Sequence, residues 1–196
     1  MGCEGIFQGA LIDCDNPLAV GLQQRLFIAN KEDIETITFS VTPGEENVVS
    51  AITMKTGKAF FEFTGVNETV KAQNSLQRNS LSNTYNHQVD FSVFETDNTS
   101  LLNLQQMAYK PQSVIVFNVE DSTLGNGVFR FYGSQGGLDL ITDEQIHGDT
   151  ETGGAQVCQL NTPEAGRAET QKPPVIFDTD IPTTLALIEA LLIPAV

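Results

Sequence analysis

The sequence predicts a mainly β protein, an antiparallel β-barrel or β-sandwich with one flanking α-helix and a short C-terminal helix. Three observations carry this. Between Gln112 and Leu140, two runs rich in β-branched and aromatic residues, Val114 to Val119 and Val128 to Tyr132, flank the turn-forming segment Asp121 to Gly127. Asn126-Gly127 supplies residues that accept positive φ, the mark of a hairpin. Short apolar or alternating runs recur along the chain between Pro, Gly and Asn punctuation, and before the C-terminal region only Asp97 to Lys110 has apolar residues at helical spacing.

Taken in order, Asn16-Pro17 marks a turn, and Leu22 to Ala29 reads as a short strand or helical turn entering a polar loop at Asn30 to Asp33. Ile34, Thr36, Thr38 and Ser40 alternate with Glu35, Ile37, Phe39 and Val41, the pattern of a half-buried strand. Thr42 to Glu45 is a turn, Val48 to Met54 a second strand, Lys55 to Lys58 a reversal, and Ala59 to Gly65 a third strand rich in Phe. Asn67 to Ser82 is polar, carries Lys71 and Arg78, and has few large apolar residues, so it reads as a long exposed loop or arm. Thr84 to Phe94 places Val89, Phe91 and Val93 on one face of a further strand.

The helix follows. Asp97 or Asn98 caps it, Leu101, Leu104, Met107 and Ala108 form its stripe, and Pro111 stops it. After the hairpin, Gly133 and Gly136-Gly137 break the chain before the apolar run Leu138 to Ile141. An acidic, Gly-rich loop comes next, and Gly154 to Asn161 is a last strand. From Thr162 the composition turns to Pro, Glu, Ala and Thr, an extended connector leading to a short β segment, Val175 to Phe177. The final helix runs from Thr183, as its cap, to Ile193, and is too apolar to stand alone in water. This divides the chain into an N-terminal arm (1–30), a β domain with its helix at 97–110 (31–161), and an extended C-terminal arm with a short helix (162–196).

Charge and cysteine usage exclude several functions. Twenty-five acidic residues against ten basic ones give a formal net charge of −15, a surface that repels nucleic-acid phosphates. Such repulsion also lets DNA slide past without sticking. Cys3, Cys14 and Cys158 are odd in number and show no C-x-x-C pair, which argues against both a zinc site and a disulfide framework, and for a reduced, intracellularly made protein. No secretory signal is visible, and Met1-Gly2-Cys3 fails as a myristoylation motif because Ile6 stands where Ser or Thr is needed. The longest apolar stretch, Ile181 to Val196, is interrupted by Pro182, Glu189 and Pro194, so no membrane anchor is expected.

No motif builds a catalytic site. Asp178-Thr179-Asp180 has the D-x-D form of metal-dependent hydrolases, notably nucleoside hydrolases. It lies near the C-terminus, however, and Pro-Thr-Thr follows soon after, so a polar turn and helix cap is the better reading. Gly57-Lys58 is not a phosphate loop, since no Gly lies five residues before Gly57 and Ala59 stands in place of Ser or Thr. His87 lies within a strand and His147 in an acidic loop, and neither has an assignable partner. Cys14, between Asp13 and Asp15, sits in an anionic setting that raises a thiol's pKa and argues against a nucleophile. Asn67-Glu68-Thr69 and Asn98-Thr99-Ser100 fit the glycosylation pattern but, without a leader, carry little meaning. The expectation is a protein that is not an enzyme, with no catalytic, cofactor or metal residues.

The order of elements, with the aromatic strands, the Leu101 to Tyr109 helix and the late F-Y-G-S-Q-G-G-L at Phe131 to Leu138, resembles tail tube-type structural proteins of tailed bacteriophages, especially those infecting Bacteroidetes. The likeness runs from about Thr53 to Asn161 and is strongest over Asn83 to Leu140. It implies a virion protein, assembled in the host cytoplasm. Its copies pair sheets into hexameric rings, and the rings stack into a tube through which genomic DNA passes without specific binding. It further implies contacts with sheath, terminator, baseplate or tape-measure proteins, the Asn67 to Ser82 loop reaching a neighbouring ring, and both terminal arms clasping adjacent subunits. Two alternatives stand beside it: a head-completion, ring or capsid decoration protein, and a metal-dependent carbohydrate-binding or hydrolytic β-sandwich using Asp178 and Asp180.

Overall fold

In a computed structural model, the described residues are 22–65, 68–78, 83–95, 97–118, 125–148, 150, 152–163 and 167–193. The chain is mainly β. The strands are β1 (Leu22–Asn30), β2 (Ile34–Phe39), β3 (Val48–Met54), β4 (Phe61–Thr64), β5 (Lys71–Arg78), β6 (Asn83–Val93), β7 (Gln112–Asn118), β8 (Phe129–Tyr132), β9 (Asp139–Gln145), β10 (Gln156–Asn161) and β11 (Val175–Ile176). Two helices, α1 (Asn98–Met107) and α2 (Ile181–Ala190), complete the fold. Seven strands form a large sheet in the order β2-β3-β11-β8-β7-β1-β4, and four form a small sheet in the order β5-β6-β10-β9. Neither sheet closes into a barrel among the described residues.

The large sheet is buried on both faces. β7, between β1 and β8, therefore reads as an unbroken apolar run, Val114-Ile115-Val116-Phe117, rather than an alternation. On one face Phe27, Ile115, Phe117, Phe129, Phe131 and Ile176 meet Ile188 and Leu191 at the C-terminal end of the chain. Edge-on ring contacts at 5.1 Å (Phe27–Phe117) and 5.4 Å (Phe117–Phe129) fill this layer. On the other face Leu26, Ile28, Val114 and Val116 interleave with Val89, Phe91, Cys158 and Leu160 of the small sheet, and with Leu104 and Met107 of α1. Each fully buried Phe or Leu contributes about 1.5–3 kcal/mol relative to exposure.

The predicted hairpin is present: β7 and β8 pair antiparallel, with Val114 opposite Tyr132 and Phe117 opposite Phe129. α1 is shorter than 97–110, and its cap is Asp97, whose carboxylate accepts the Ser100 N–H at 2.8 Å. Its stripe is narrower than the spacing implies, since Leu104 and Met107 are buried while Leu101 and Leu102 are exposed.

Four expectations need correction. Residues 71–78 are not a loop: β5 pairs along its whole length with β6, from Lys71 opposite Asp90 to Arg78 opposite Asn83. Backbone hydrogen bonds make that ladder, and they need no apolar side chains. The acidic loop expected after Ile141 begins later, because β9 extends through Gln145 on β10. Thr183 does not cap α2; the cap is Asp180, which accepts the Thr183 N–H at 2.7 Å, with Pro182 in the first turn. The sheets are antiparallel with one exception, β11, which runs parallel to β3 and antiparallel to β8.

The segments assigned to arms run through the large sheet where they are described. β1 lies between β7 and β4, β11 fills the gap between β3 and β8, and α2 packs on the same sheet. Residues 1–21, with Cys3, Cys14 and Asn16-Pro17, lie outside the described residues, as do 66–67, 79–82, 96, 119–124, 149, 151, 164–166 and 194–196. No described helix is long and apolar enough to cross a membrane.

Candidate functional site

Polar side chains gather in two places, a cluster buried between the sheets and the outer face of the small sheet. The buried cluster begins at His87. Alternation along β6 turns His87 inward with Val89 and Phe91, and its side chain is fully buried. Nδ1 accepts the Gly133 N–H at 3.3 Å, and Nε2 donates to the Gln171 carbonyl at 3.0 Å. Those two partners fix the neutral Nε2–H tautomer. Burial pushes the imidazole down to about 4, against the bond to Gln171, which raises it.

Glu169, also fully buried, places Oε2 4.0 Å from His87 Nδ1. With the ring neutral this is a contact rather than an ion pair. The Glu169 carboxylate accepts the Gly136 N–H at 2.9 Å and the Gln135 N–H at 3.1 Å. Burial pushes its pKa up; the N–H groups of Gly136, Gln135 and Gly137, and the Lys31 ammonium, pull the other way.

Glycine makes this approach feasible. A Cβ on Gly136 would stand 2.5 Å from the Arg167 carbonyl oxygen, and Gly133 turns the chain at φ +66°. Around the cluster, Arg167 pairs with Asp139, the Thr170 N–H donates to Gln135 Oε1 at 2.8 Å, and the Tyr85 N–H donates to the Glu169 carbonyl at 2.7 Å. Tyr132 packs edge-on to the imidazole at 5.5 Å. The polar atoms thus hold a strap, residues 167–171, to the small sheet and the Gly133–Gly137 turn. The fully buried His87 and Glu169 thus act as a clamp between the strap, the turn and the small sheet.

The outer face of the small sheet carries the residues that alternate with its core positions. Gln73 donates to Gln88 at 2.8 Å, Gln88 to Asp90 at 2.9 Å, and Gln159 to Asp90 at 2.8 Å, a polar ladder across β5, β6 and β10. The two edges of this sheet differ in charge. β5 bears Lys71 and Arg78 and no acidic residue, while β9 bears Asp139, Asp143 and Glu144 and no basic one. Each edge also exposes one aliphatic side chain, Leu76 on β5 and Ile141 on β9. Among the described residues, β5 pairs only with β6 and β9 only with β10.

No family model, curated protein or solved structure matches this chain.

The remaining candidates are dispersed. Asp180 caps α2, and Asp178 accepts the Thr179 hydroxyl at 3.3 Å; among the described residues no three His, Cys, Asp or Glu side chains are grouped to hold a metal ion. Lys58 pairs with Asp33 at 3.2 Å. His147 is exposed, as are Asn98 and Glu68, while Asn67 lies outside the described residues. Cys158 is free and buried; burial first, then Asp143, pushes its thiol up to about 12, so it is inert as a nucleophile in the folded chain. Sequence reading missed Glu169, Gln135 and Gly136 as partners, because no local pattern links positions over thirty residues apart. The charge difference between β5 and β9 was visible, but it had no meaning until residues 71–78 were known to be a strand.

Proposed function

We propose that this protein is a virion structural subunit of the tail tube type. In this reading the two facing sheets are a β-sandwich, and copies join head to tail through the small sheet into hexameric rings that stack around passing DNA. The observation that carries the reading is the pair of open, oppositely charged edges on that sheet. Its four strands alternate in direction, so β9 of one copy meets β5 of the next antiparallel and the sheet continues without a break in pattern. A head-to-tail contact of this kind closes into a ring when its rotation permits, and closure removes edges that would otherwise seed aggregation.

Each new backbone hydrogen bond adds about 0.5–1.5 kcal/mol net, and exposed charge pairs about 0–1 kcal/mol each. Charge pairs between the basic β5 and the acidic β9 therefore fix register more than they supply affinity. In a closed ring the amide-rich ladder of Gln73, Gln88 and Gln159 would line the channel. Neutral amides, with Lys71 directly opposite Asp90, leave this face without net positive charge to grip DNA, in keeping with a net charge of −15.

Negative-stain electron microscopy over a concentration series tests this. Rings or stacked tubes are expected from the native chain, and a dispersed, folded monomer from K71E/R78E. Mixing that variant with E144K should restore the edge pairing in one orientation. A native chain that stays monomeric at every concentration overturns the reading. Single rings that never stack would instead favour a head-completion or terminator ring, which uses the same pairing without the tube.

A further inference from the structure

Assembly through sheet edges gives no role to a histidine and a glutamate buried side by side beneath the strap. Their geometry is nevertheless closely specified. His87 needs its neutral Nε2–H tautomer, because Nδ1 must accept from Gly133 on the turn while Nε2–H donates to Gln171 on the strap. Glu169 supplies acceptor oxygens to two backbone N–H groups of the turn. The His87 bridge between turn and strap therefore holds only while the imidazole is neutral.

We infer that His87 and Glu169 form an acid-sensitive latch that holds the 167–171 strap against the small sheet. One proton from solvent on Nδ1 opens it. The imidazolium then presents N–H to the Gly133 N–H, and the bond between β6 and the turn is lost. Glu169 is the nearest counter-charge, but its oxygens already serve Gln135 and Gly136, and it can reach the imidazolium only by leaving them. The other groups that face the pair do not supply a substitute. Lys31 approaches from the turn after β1 and adds positive charge, Tyr132 from β8 donates to no carboxylate in the cluster, Tyr85 of β6 contributes its backbone N–H, and Arg167 is matched with Asp139 at the mouth of the strap.

The sign follows from the two groups. His87 is depressed from 6.5 to about 4 while latched, so opening is favoured as pH falls from 6.5 towards 4. Glu169 is raised from 4.5 while latched, so its protonation favours the closed state and works against release. The histidine sets the response, because its protonation removes the Gly133 bond outright, whereas the Glu169 carboxyl keeps acceptor oxygens for its N–H donors in either state.

Hydrogen–deuterium exchange of the full chain between pH 7.5 and 4.5, corrected for the intrinsic rate, tests the latch. Peptides covering residues 167–177 should lose protection by up to about tenfold per pH unit below 6.5, less the Glu169 contribution, while β7 peptides stay unchanged. In H87Q, whose amide reproduces one acceptor and one donor, that loss should vanish. In E169Q, which removes the opposing titration, it should steepen. Strap protection that is independent of pH in the native chain overturns the latch, and so does an unchanged acid loss in H87Q. Should H87Q fail to fold, nitrogen chemical shifts of His87 in the native chain decide it: the Nε2–H tautomer at neutral pH, giving way to imidazolium as strap protection falls, is required, and any other pattern refutes it.

Discussion

Arg25 on β1 and Glu189 on α2 meet at 2.9 Å, although 164 residues separate them. The same guanidinium contacts Glu62 of β4 and lies over the rings of Phe27 and Phe117, 4.8 and 5.4 Å from their centroids. One side chain thus ties the edge strand β4, the sheet interior and the C-terminal helix together.

Losing Arg25 should therefore cost more than losing either acid. Exposed ion pairs contribute about 0–1 kcal/mol and a cation over an aromatic face about 0.5–2 kcal/mol. Arg25→Ala should lower stability by about 1–2 kcal/mol and Glu189→Gln by under about 1 kcal/mol, read from urea midpoints at constant slope. Equal losses from both would mean that the ring contacts contribute nothing.

Gly136→Ala should destabilise the fold by about 1–3 kcal/mol, the range of a forced overpacking, because the new methyl would stand against the Arg167 carbonyl. Gly148→Ala is the comparison, since open space surrounds Gly148 and only its φ of +80° opposes the change. Thermal melts of the two should differ, with Gly136→Ala also loosening the strap in exchange experiments.

Within the phenylalanine layer, Phe131→Ala should cost about 3–5 kcal/mol, since the ring is fully buried against Phe60 and cannot be replaced by water. Phe61, next to Phe60 in the chain, is exposed and lines an open groove with Phe63, Phe94 and Asn103. Phe61→Ser should leave the urea midpoint within about 0.5 kcal/mol of the parent.

Asp180 supplies a second, separate pH dependence. Its bonds to Thr183 lower its pKa below 3.8, so the cap adds stability above that value and loses it as pH falls through the folded-state pKa. Asp180→Ala should accordingly be less stable than the parent at pH 7, with the gap narrowing as the pH falls below 3.8. A gap independent of pH would rule out the carboxylate as the cap.

Cys158 should resist thiol reagents in the native state and react on unfolding. In a Cys3→Ser/Cys14→Ser background, labelling at pH 8 should track the denaturant transition seen by circular dichroism. Rapid labelling without denaturant would contradict its burial.

Local chemistry made much of this fold legible in the sequence. The hairpin at 112–132 announced itself through two β-branched runs around a glycine turn, and α1 through an acidic cap and a closing proline. β5 escaped because its side chains are polar on both faces; its only strand signal is the backbone ladder with β6, which a sequence does not display. Val175-Ile176 was legible as a β segment, but nothing local reveals that it enters between β3 and β8 and runs parallel to one of them. The buried cluster was least legible. His87 sits in an ordinary strand pattern, and Gly133 to Gly137 signals a chain break whether or not a glutamate lies upon it.

The position of β11 governs when the fold can be finished. β2 and β3 lie on one side of it and β8, β7, β1 and β4 on the other. A chain still on the ribosome, or cut before Val175, holds two separate partial sheets whose inner edges face solvent. Completion of the sheet waits for Val175 and Ile176, which follow every other described strand, and until they arrive the nascent chain is a natural client for chaperones. A stop codon anywhere between β10 and Val175 would consequently leave the large sheet in two parts, although every other described strand of that sheet had already been made.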